Sequence, residues 1–421
     1  MKKDSIEINV QSEIGELEAV LLHRPGPEVE NMTPGNAQRA LYSDILNLAI
    51  VSKEYAQLEG ILHKTARTLQ VRDLLTDVLR NEVVKSSFVR KVCQHDQVMH
   101  LEGMLLSMAP EDLTRQIFEG VVMQKDNLTR FLDRERYEVR PLHNFFFTRD
   151  ASVSIGNKVL IGRMASQVRV REAIIMETIF EYHPRLKTQI INCSSSSSSI
   201  KGVTFEGGDI LVAREDVLLI GLSARTTSKG IDHIMECLRS KEQVHHILVQ
   251  ELPESPESFI HLDMVFTFLN PEHCMVYEPV ILNDNHFATI HLSLENGKVT
   301  GICEERDLLT ALRKLGMDMK PILCGGATDV YTQEREQWHS GANFFATGPG
   351  KVIGYGRNQY TIQELSQNGF EVFSAREILS GKRSFAGYNK YVVTIEGSEL
   401  SRGGGGARCM TMPLARKPFA W

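Results

Sequence analysis

A unit that recurs in fixed internal order is what most constrains the folding of this chain. Each copy runs through a polar signature, a short apolar strand, a turn and a second apolar strand. Phe147-Thr-Arg-Asp150 leads into Val153-Ser-Ile, a Gly-Asn turn and Val159-Leu-Ile, while Phe205-Glu-Gly-Gly-Asp209 leads into Ile210-Leu-Val, a polar turn and Val217-Leu-Leu-Ile. His261-Leu-Asp263 is followed by Met264-Val-Phe, Asn270-Pro-Glu and Cys274-Met-Val-Tyr277. Gly341-Ala-Asn343 is followed by Phe344-Phe-Ala, Gly-Pro-Gly and Val352-Ile-Gly354. A more helical stretch usually closes the unit, as at 169–183 and 229–240. Such repetition implies like supersecondary units packed around a centre. With the strand-like stretch 15–25 and the C-terminal tail as halves of one more, the count is about five. A radial α/β arrangement of these units brings every signature to one mouth.

Between about 41 and 137 the texture changes. Apolar residues recur at helical spacing, as in Ile45, Leu48 and Ala49, then Tyr55, Leu58 and Leu62. That pattern predicts a bundle of amphipathic helices without chemistry of its own, whose apolar faces offer a place for a second copy of the chain to pair. The expected domains are therefore 1–40 with 138–421 as the α/β unit and 41–137 as a helical insertion. Six serines, Ser194 to Ser199, read as a surface loop. With a net charge of −6 the chain offers no broad basic field for nucleic acid. No apolar run is long enough for a membrane span. Seven cysteines, odd in number and without CxxC spacing, argue against a disulfide framework or a Cys-rich zinc site and for a reduced, cytoplasmic protein.

Near the C-terminus four consecutive glycines, Gly403 to Gly406, run into Ala-Arg-Cys409. Ordering such a run costs chain entropy, which suggests a glycine-walled slot ending in a nucleophilic thiol. The repeat signatures add Asp150, Glu206, Asp209, His261 and Asp263. Cysteine with histidine suggests nucleophilic catalysis, the thiolate attacking and the imidazole moving a proton. The surplus of acids suits a cationic substrate, and carboxylates pair bidentately with a guanidinium. The same acids raise the thiol pKa, so the thiolate needs help from a cationic His261 or from the substrate.

These residues resemble the bacterial arginine deiminase family, of the guanidine-modifying (pentein) superfamily. The resemblance is carried by Asn144-Phe-Phe-Phe-Thr-Arg-Asp150, Arg169-Val-Arg-Glu172, Phe205-Glu-Gly-Gly-Asp209, Arg225-Thr-Thr, His261-Leu-Asp263-Met-Val, Arg335-Glu-Gln-Trp338 and Arg402-Gly-Gly-Gly-Gly-Ala-Arg-Cys409-Met. It runs in order over essentially the whole chain. It implies a five-bladed pseudo-symmetric α/β propeller with an inserted helical bundle, and hydrolysis of L-arginine to L-citrulline and ammonia without metal or cofactor. In that scheme Cys409 forms an amidino-cysteine intermediate and His261 serves as acid, then base. Asp150 and Asp263 grip the guanidinium, with Glu206 in support. Arg169 and Arg225 pair with the α-carboxylate, Asn144 and Phe147 line the pocket, and Asp209 holds the glycine turn. Two positions depart from the pattern: Gly404 stands where some members carry an arginine, and Ala151 where several carry proline. Methylarginine hydrolysis and amidino transfer use the same Cys-His-acid set and are the alternatives within the superfamily. A non-enzymatic propeller would have no reason to keep that set together, and a helical regulatory domain acting on an unrelated partner through 41–137 is a third alternative.

Overall fold

The computed structural model describes residues 5–37, 39, 41, 44–191, 202–238, 244–282, 287–295, 298–327 and 329–421. The serine run lies outside them. Among the described residues five mixed sheets carry the architecture, and each contains an antiparallel strand pair joined to a third, parallel strand. Ser152–Ile155 pairs with Lys158–Ile161 and then with Gln189–Ile191. Ile210–Arg214, Val217–Leu222 and His246–Glu251 repeat the plan. So do Phe266–Asn270, His273–Val276 and Lys320–Leu323, and likewise Phe345–Gly348, Lys351–Tyr355 and Tyr391–Ile395. The fifth sheet joins the two ends of the chain, with Leu17–Leu22 antiparallel to Met412–Arg416 and parallel to Arg67–Gln70.

Local chemistry accounts for these units. The first hairpin turns through two residues, Gly156 and Asn157, because Ile155 pairs with Lys158. Gly156 has φ +56°, the positive φ that a two-residue hairpin of matching twist requires. A parallel third strand is out of reach of a tight turn and needs a crossover. Helices Leu48–Thr65, Val170–Tyr182, Ser228–Leu238 and Gln359–Gln367 provide it in four of the sheets. Central strands are covered on both faces, so they read as unbroken apolar runs: Val217 through Ile220 are wholly buried.

The stretch 41–137 is mostly helical, with Val71–Leu79, Glu82–His95 and Pro110–Glu119 its longest helices after Leu48–Thr65. Asn81 starts one of them, its side-chain oxygen accepting from the backbone N–H groups of Val83 and Val84. Val71–Leu79 and Glu82–His95 pack on Val170–Tyr182. Strand Arg67–Gln70 interrupts this helical run and belongs to the fifth sheet. Another departure from regularity is the hairpin Thr289–Glu295 and Lys298–Glu305, which adds two strands to the edge of the sheet containing His246–Glu251.

Among the described cysteines, Cys93, Cys274, Cys303, Cys324 and Cys409 are free, but Cys237 is disulfide-bonded. The expectation of thiols throughout is corrected at that position; Cys193 lies outside the described residues. Cysteine count and spacing report local motifs, whereas a bridge depends on which distant Cα atoms the fold brings together. No helix among the described residues is long and apolar enough to cross a membrane.

Candidate active site

The repeat signatures do converge. Asp150 precedes the strand Ser152–Ile155, Glu206 to Asp209 precede Ile210–Arg214, and His261 with Asp263 precede Phe266–Asn270. All five, with Cys409, are at most 3% exposed. Gly208 shows how tightly they meet: a Cβ there would lie 2.4 Å from His261 Nδ1 and 3.0 Å from Asp150 Oδ1. Only glycine lets the backbone come this close.

His261 is held between two acids. Its Nε2 is 3.0 Å from Glu206 Oε2, and its Nδ1 is 3.7 Å from Asp150 Oδ1. Burial disfavours the imidazolium, but Asp150, the Glu206 hydrogen bond and Asp209 outweigh it and lift the His261 pKa to about 9. Glu206 is correspondingly held well below the usual carboxylate range: burial opposes this, and the His261 bond and charge prevail. Asp209 accepts from the backbone N–H of Leu262 at 2.8 Å and from the Ser223 hydroxyl at 2.7 Å, so it fixes the loop that carries His261 and Asp263.

The nucleophile candidate sits beside Asp263, whose carboxylate oxygens lie 3.6 and 3.7 Å from Cys409 Sγ. Burial, then Asp263 and Asp150, push the thiol pKa well above its ordinary value, in the direction the surplus of acids predicts. A backbone hydrogen bond from Gly406 and the Arg408 charge partly offset this, and Asn343 braces the same sulfur. Its Nδ2 donates to Sγ at 3.1 Å, while its Oδ1 accepts from the Arg408 and Cys409 backbone N–H groups at 2.9 and 3.3 Å. The glycine run is shaped by these neighbours, since a Cβ at Gly406 would lie 2.6 Å from Asn343 Oδ1 and one at Gly405 2.5 Å from the Phe147 ring.

Both aspartates already hold an arginine of the chain. Arg408 Nη1 donates to Asp263 Oδ2 at 2.8 Å, and its Nε and Nη2 donate to Glu13 at 3.1 and 3.0 Å. Arg169 Nη1 donates to Asp150 Oδ2 at 2.7 Å, and its Nη2 donates to Glu172 at 2.8 Å. Arg169 is therefore buried at the acidic end rather than displayed at a mouth. Asn144 is buried, Phe147 packs on Phe146 with ring centroids 4.1 Å apart, and half-buried Arg225 acts on Glu206 through its charge. Met264, whose Sδ is 4.0 Å from Cys409 Sγ, also lines a cavity of about 430 Å³ with Trp338, Arg357, Arg402 and Gly404, among others.

Asp150, Glu206 and His261 place possible metal-ligand atoms within 4.8 Å of one another. The Arg169 guanidinium, bonded to Asp150 and 3.8 Å from Glu206, supplies positive charge there. Sequence reasoning missed Asn343, Arg408 and Glu13 as site-building residues. A signal existed for Asn343, which ends the polar signature of its own repeat.

Chemically, the arrangement offers a thiol, an imidazolium and several carboxylates in a buried interior, which suits attack on a cationic carbon and protonation of what leaves. A sequence profile of the arginine deiminase family matches residues 38–416. Relatives named arginine deiminase include one from Listeria monocytogenes serovar 1/2a, 34% identical over 97% of this chain and 98% of its own length. Another, from Bacillus cereus, is 35% identical over the same shares. Among solved structures, an amidinotransferase from Microseira wollei, SxtG, superposes with a TM-score of 0.53 at 12% identity, covering 99% of each chain. The N-terminal domain of ArgZ, described as an arginine dihydrolase from the ornithine–ammonia cycle in cyanobacteria, gives 0.52 at 14% identity, covering 94% of this chain and 98% of its own. At such identities these two speak for the α/β fold alone. The profile and the curated relatives go further: this chain belongs to the arginine deiminase family.

Proposed function

We propose that the protein hydrolyses L-arginine to L-citrulline and ammonia through a covalent amidino-cysteine on Cys409. The observation that carries this reading is the convergence of Cys409, His261, Asp263, Glu206 and Asp150 from separate repeats into one buried cluster. In the proposed cycle the substrate guanidinium takes up the acids, and its positive charge lowers the thiol pKa that those acids had raised. Sulfur then attacks the guanidinium carbon, a C–S bond forms, and the C–N bond to the departing nitrogen breaks. His261, cationic at neutral pH, gives its proton to the leaving ammonia. The neutral imidazole next takes a proton from water as the water attacks the amidino carbon. Breaking the C–S bond returns the thiolate and releases citrulline.

In this reading Asp150 and Asp263 hold the guanidinium nitrogens, while Glu206 orients and charges His261. Arg169 stands at present where a guanidinium would bind, so substrate has to replace it at Asp150. The freed Arg169, with Arg225, would then face the α-carboxylate, with Asn144 and Phe147 beside the aliphatic stem. The five like sheets would close as blades of a pentein propeller. The helical insertion is best drawn as 71–137 within the proposed 41–137, because Arg67–Gln70 completes a sheet.

Mass spectrometry of a His261→Ala variant mixed with arginine tests the chemistry. The expected product is an adduct on Cys409 that keeps the amino-acid stem, with or without loss of ammonia; an adduct on another cysteine would move the nucleophile. Rates on arginine, methylated arginine, agmatine and arginine plus glycine test the substrate. Agmatine used as well as arginine would remove the carboxylate roles of Arg169 and Arg225.

A further inference from the structure

The two strands added to the sheet edge bear chemistry that no step of the reaction uses. His291 and Cys303 stand opposite each other in register, and Glu305 lies two residues beyond Cys303. Period-two alternation therefore puts all three side chains on one face. His291 Nδ1 is 3.8 Å from Glu305 Oε1, and Cys303 Sγ is 3.7 Å from the same oxygen. All three donor atoms fall within 4.8 Å of one another. Glu305 is buried and Cys303 exposed, so the cluster has a protein floor and an open side.

His246, on the neighbouring strand, fixes the His291 ring. Its Nδ1 is 3.0 Å from His291 Nε2, a contact that needs one donor and one acceptor. With His291 Nε2–H donating to His246, the lone pair of His291 Nδ1 faces the thiol and the carboxylate. An outer partner commonly sets the tautomer of a metal-binding imidazole in this way. Lys314 Nζ bonds the other carboxylate oxygen, Glu305 Oε2, at 2.6 Å and leaves Oε1 to the cluster.

We propose that His291, Cys303 and Glu305 form a binding site for one divalent cation of borderline softness, with zinc the best match. Zinc bonds of about 2.3 Å to sulfur and about 2.0–2.2 Å to nitrogen or oxygen, at tetrahedral angles, put ligand atoms roughly 3.3–3.6 Å apart. The two separations measured through Glu305 Oε1 need to close by only a few tenths of an ångström. Thiolate and imidazole select zinc over magnesium or calcium, and three protein ligands leave a fourth position for water. The ion would lock Thr289–Glu295 to Lys298–Glu305, far in sequence from Cys409.

Anaerobic titration of the full chain with cobalt(II), a spectroscopic stand-in for zinc, tests the proposal. A thiolate-to-cobalt charge-transfer band saturating at one equivalent is expected, present in Cys409→Ser and lost in Cys303→Ser. These variants make the same thiol-to-hydroxyl change, so the contrast between them is not one of folding. Zinc affinity, measured by competition with a chromophoric chelator, should fall at least tenfold in His291→Ala and about ten- to a hundredfold in His246→Ala. Absence of the band in the native chain, its survival in Cys303→Ser, or unchanged zinc affinity in His291→Ala would overturn the site.

Discussion

Asp150 and Asp263 come from equivalent places in two repeats, each is almost wholly buried, and each is bonded to an arginine. Their arginines differ. Arg408, beside Asp263, is held by Glu13 through two further nitrogens and by the Ile210 carbonyl at 2.9 Å, so it has no freedom to leave. Arg169, beside Asp150, has its other strong partner on its own helix start, Glu172, three residues away. Asp150 also keeps one buried oxygen, Oδ1, without a hydrogen-bond partner. The same residue type in the same repeat position thus serves two ends. Asp263 belongs to a charge framework that reaches the thiol, whereas Asp150 holds the guanidinium that substrate replaces in the proposed cycle.

The sharpest way to break that contrast is to neutralise each acid. Asp263→Asn leaves Arg408 bonded to Glu13, and Asp150→Asn leaves Arg169 bonded to Glu172, so each buried guanidinium keeps a carboxylate and each change should cost about 1–3 kcal/mol. Both variants should lose citrulline release. Asp150→Asn also takes a carboxylate from His261, so it should show the larger fall in Tm near neutral pH. A larger fall in Asp263→Asn would mean that Glu13 does not hold Arg408 in place. Next in size comes Asn343→Ala, which removes the amide donor to Cys409 and should lower kcat by roughly 10²–10³-fold. A rise in KM alone would assign Asn343 to packing of the glycine run.

How much of this could be read before folding follows from the range of each contact. The strand pairs were legible because signature, strand and turn are consecutive, as in Asp150, Ser152–Ile155 and Gly156. The gathering of Asp150, Glu206, His261 and Asp263 was legible because like units place like residues alike. The partners that balance those acids were not. Arg408 and Glu13 are 395 residues apart, and no spacing announces their contact. The carboxylate role of Arg169 comes through the family resemblance, and no spacing announces that Asp150 bonds it in the folded chain. Asn343 carried the right position without a charge. Arg67–Gln70, four residues between two helices, is too short to show a period of its own.

His261 sharpens the contrast by a different route, because its charge is set by Asp150, Glu206 and Asp209. Its folded pKa of about 9 lies above the ordinary 6.5. The stability it contributes is therefore complete below about pH 6.5 and lost as pH rises through 9. In the proposed cycle the same proton is given to ammonia, so kcat/KM should fall above about pH 9. NMR titration of the ring should show Asp150→Asn lowering this pKa by about one unit, and Asp263→Asn leaving it nearly unchanged. A larger shift in the Asp263 variant would reverse the assignment of which acid governs the imidazole.

The smallest expected effect concerns the mouth. Gly404 has φ +82°, and a Cβ built there meets nothing within 4 Å, so an added side chain has room but begins with backbone strain of about 1–3 kcal/mol. Arg402 beside it is already occupied, its Nε bonding Asp44 at 2.7 Å and its Nη1 bonding Glu399 at 3.0 Å. Arg357 is likewise turned to the Gly397 carbonyl and the Ser401 hydroxyl, at 3.0 and 2.6 Å. A guanidinium introduced by Gly404→Arg would thus be a new cation in the cavity that touches Met264, next to Asp263. If it meets only the substrate carboxylate, the gain is that of a partly exposed pair, about 0.2–1 kcal/mol, and KM falls less than about fivefold with kcat unchanged. A fall in kcat instead would mean that the new arginine reaches the acids. Asp263 would then prove as open to an exchangeable guanidinium as Asp150, and its bond to Arg408 would not be what sets the two apart.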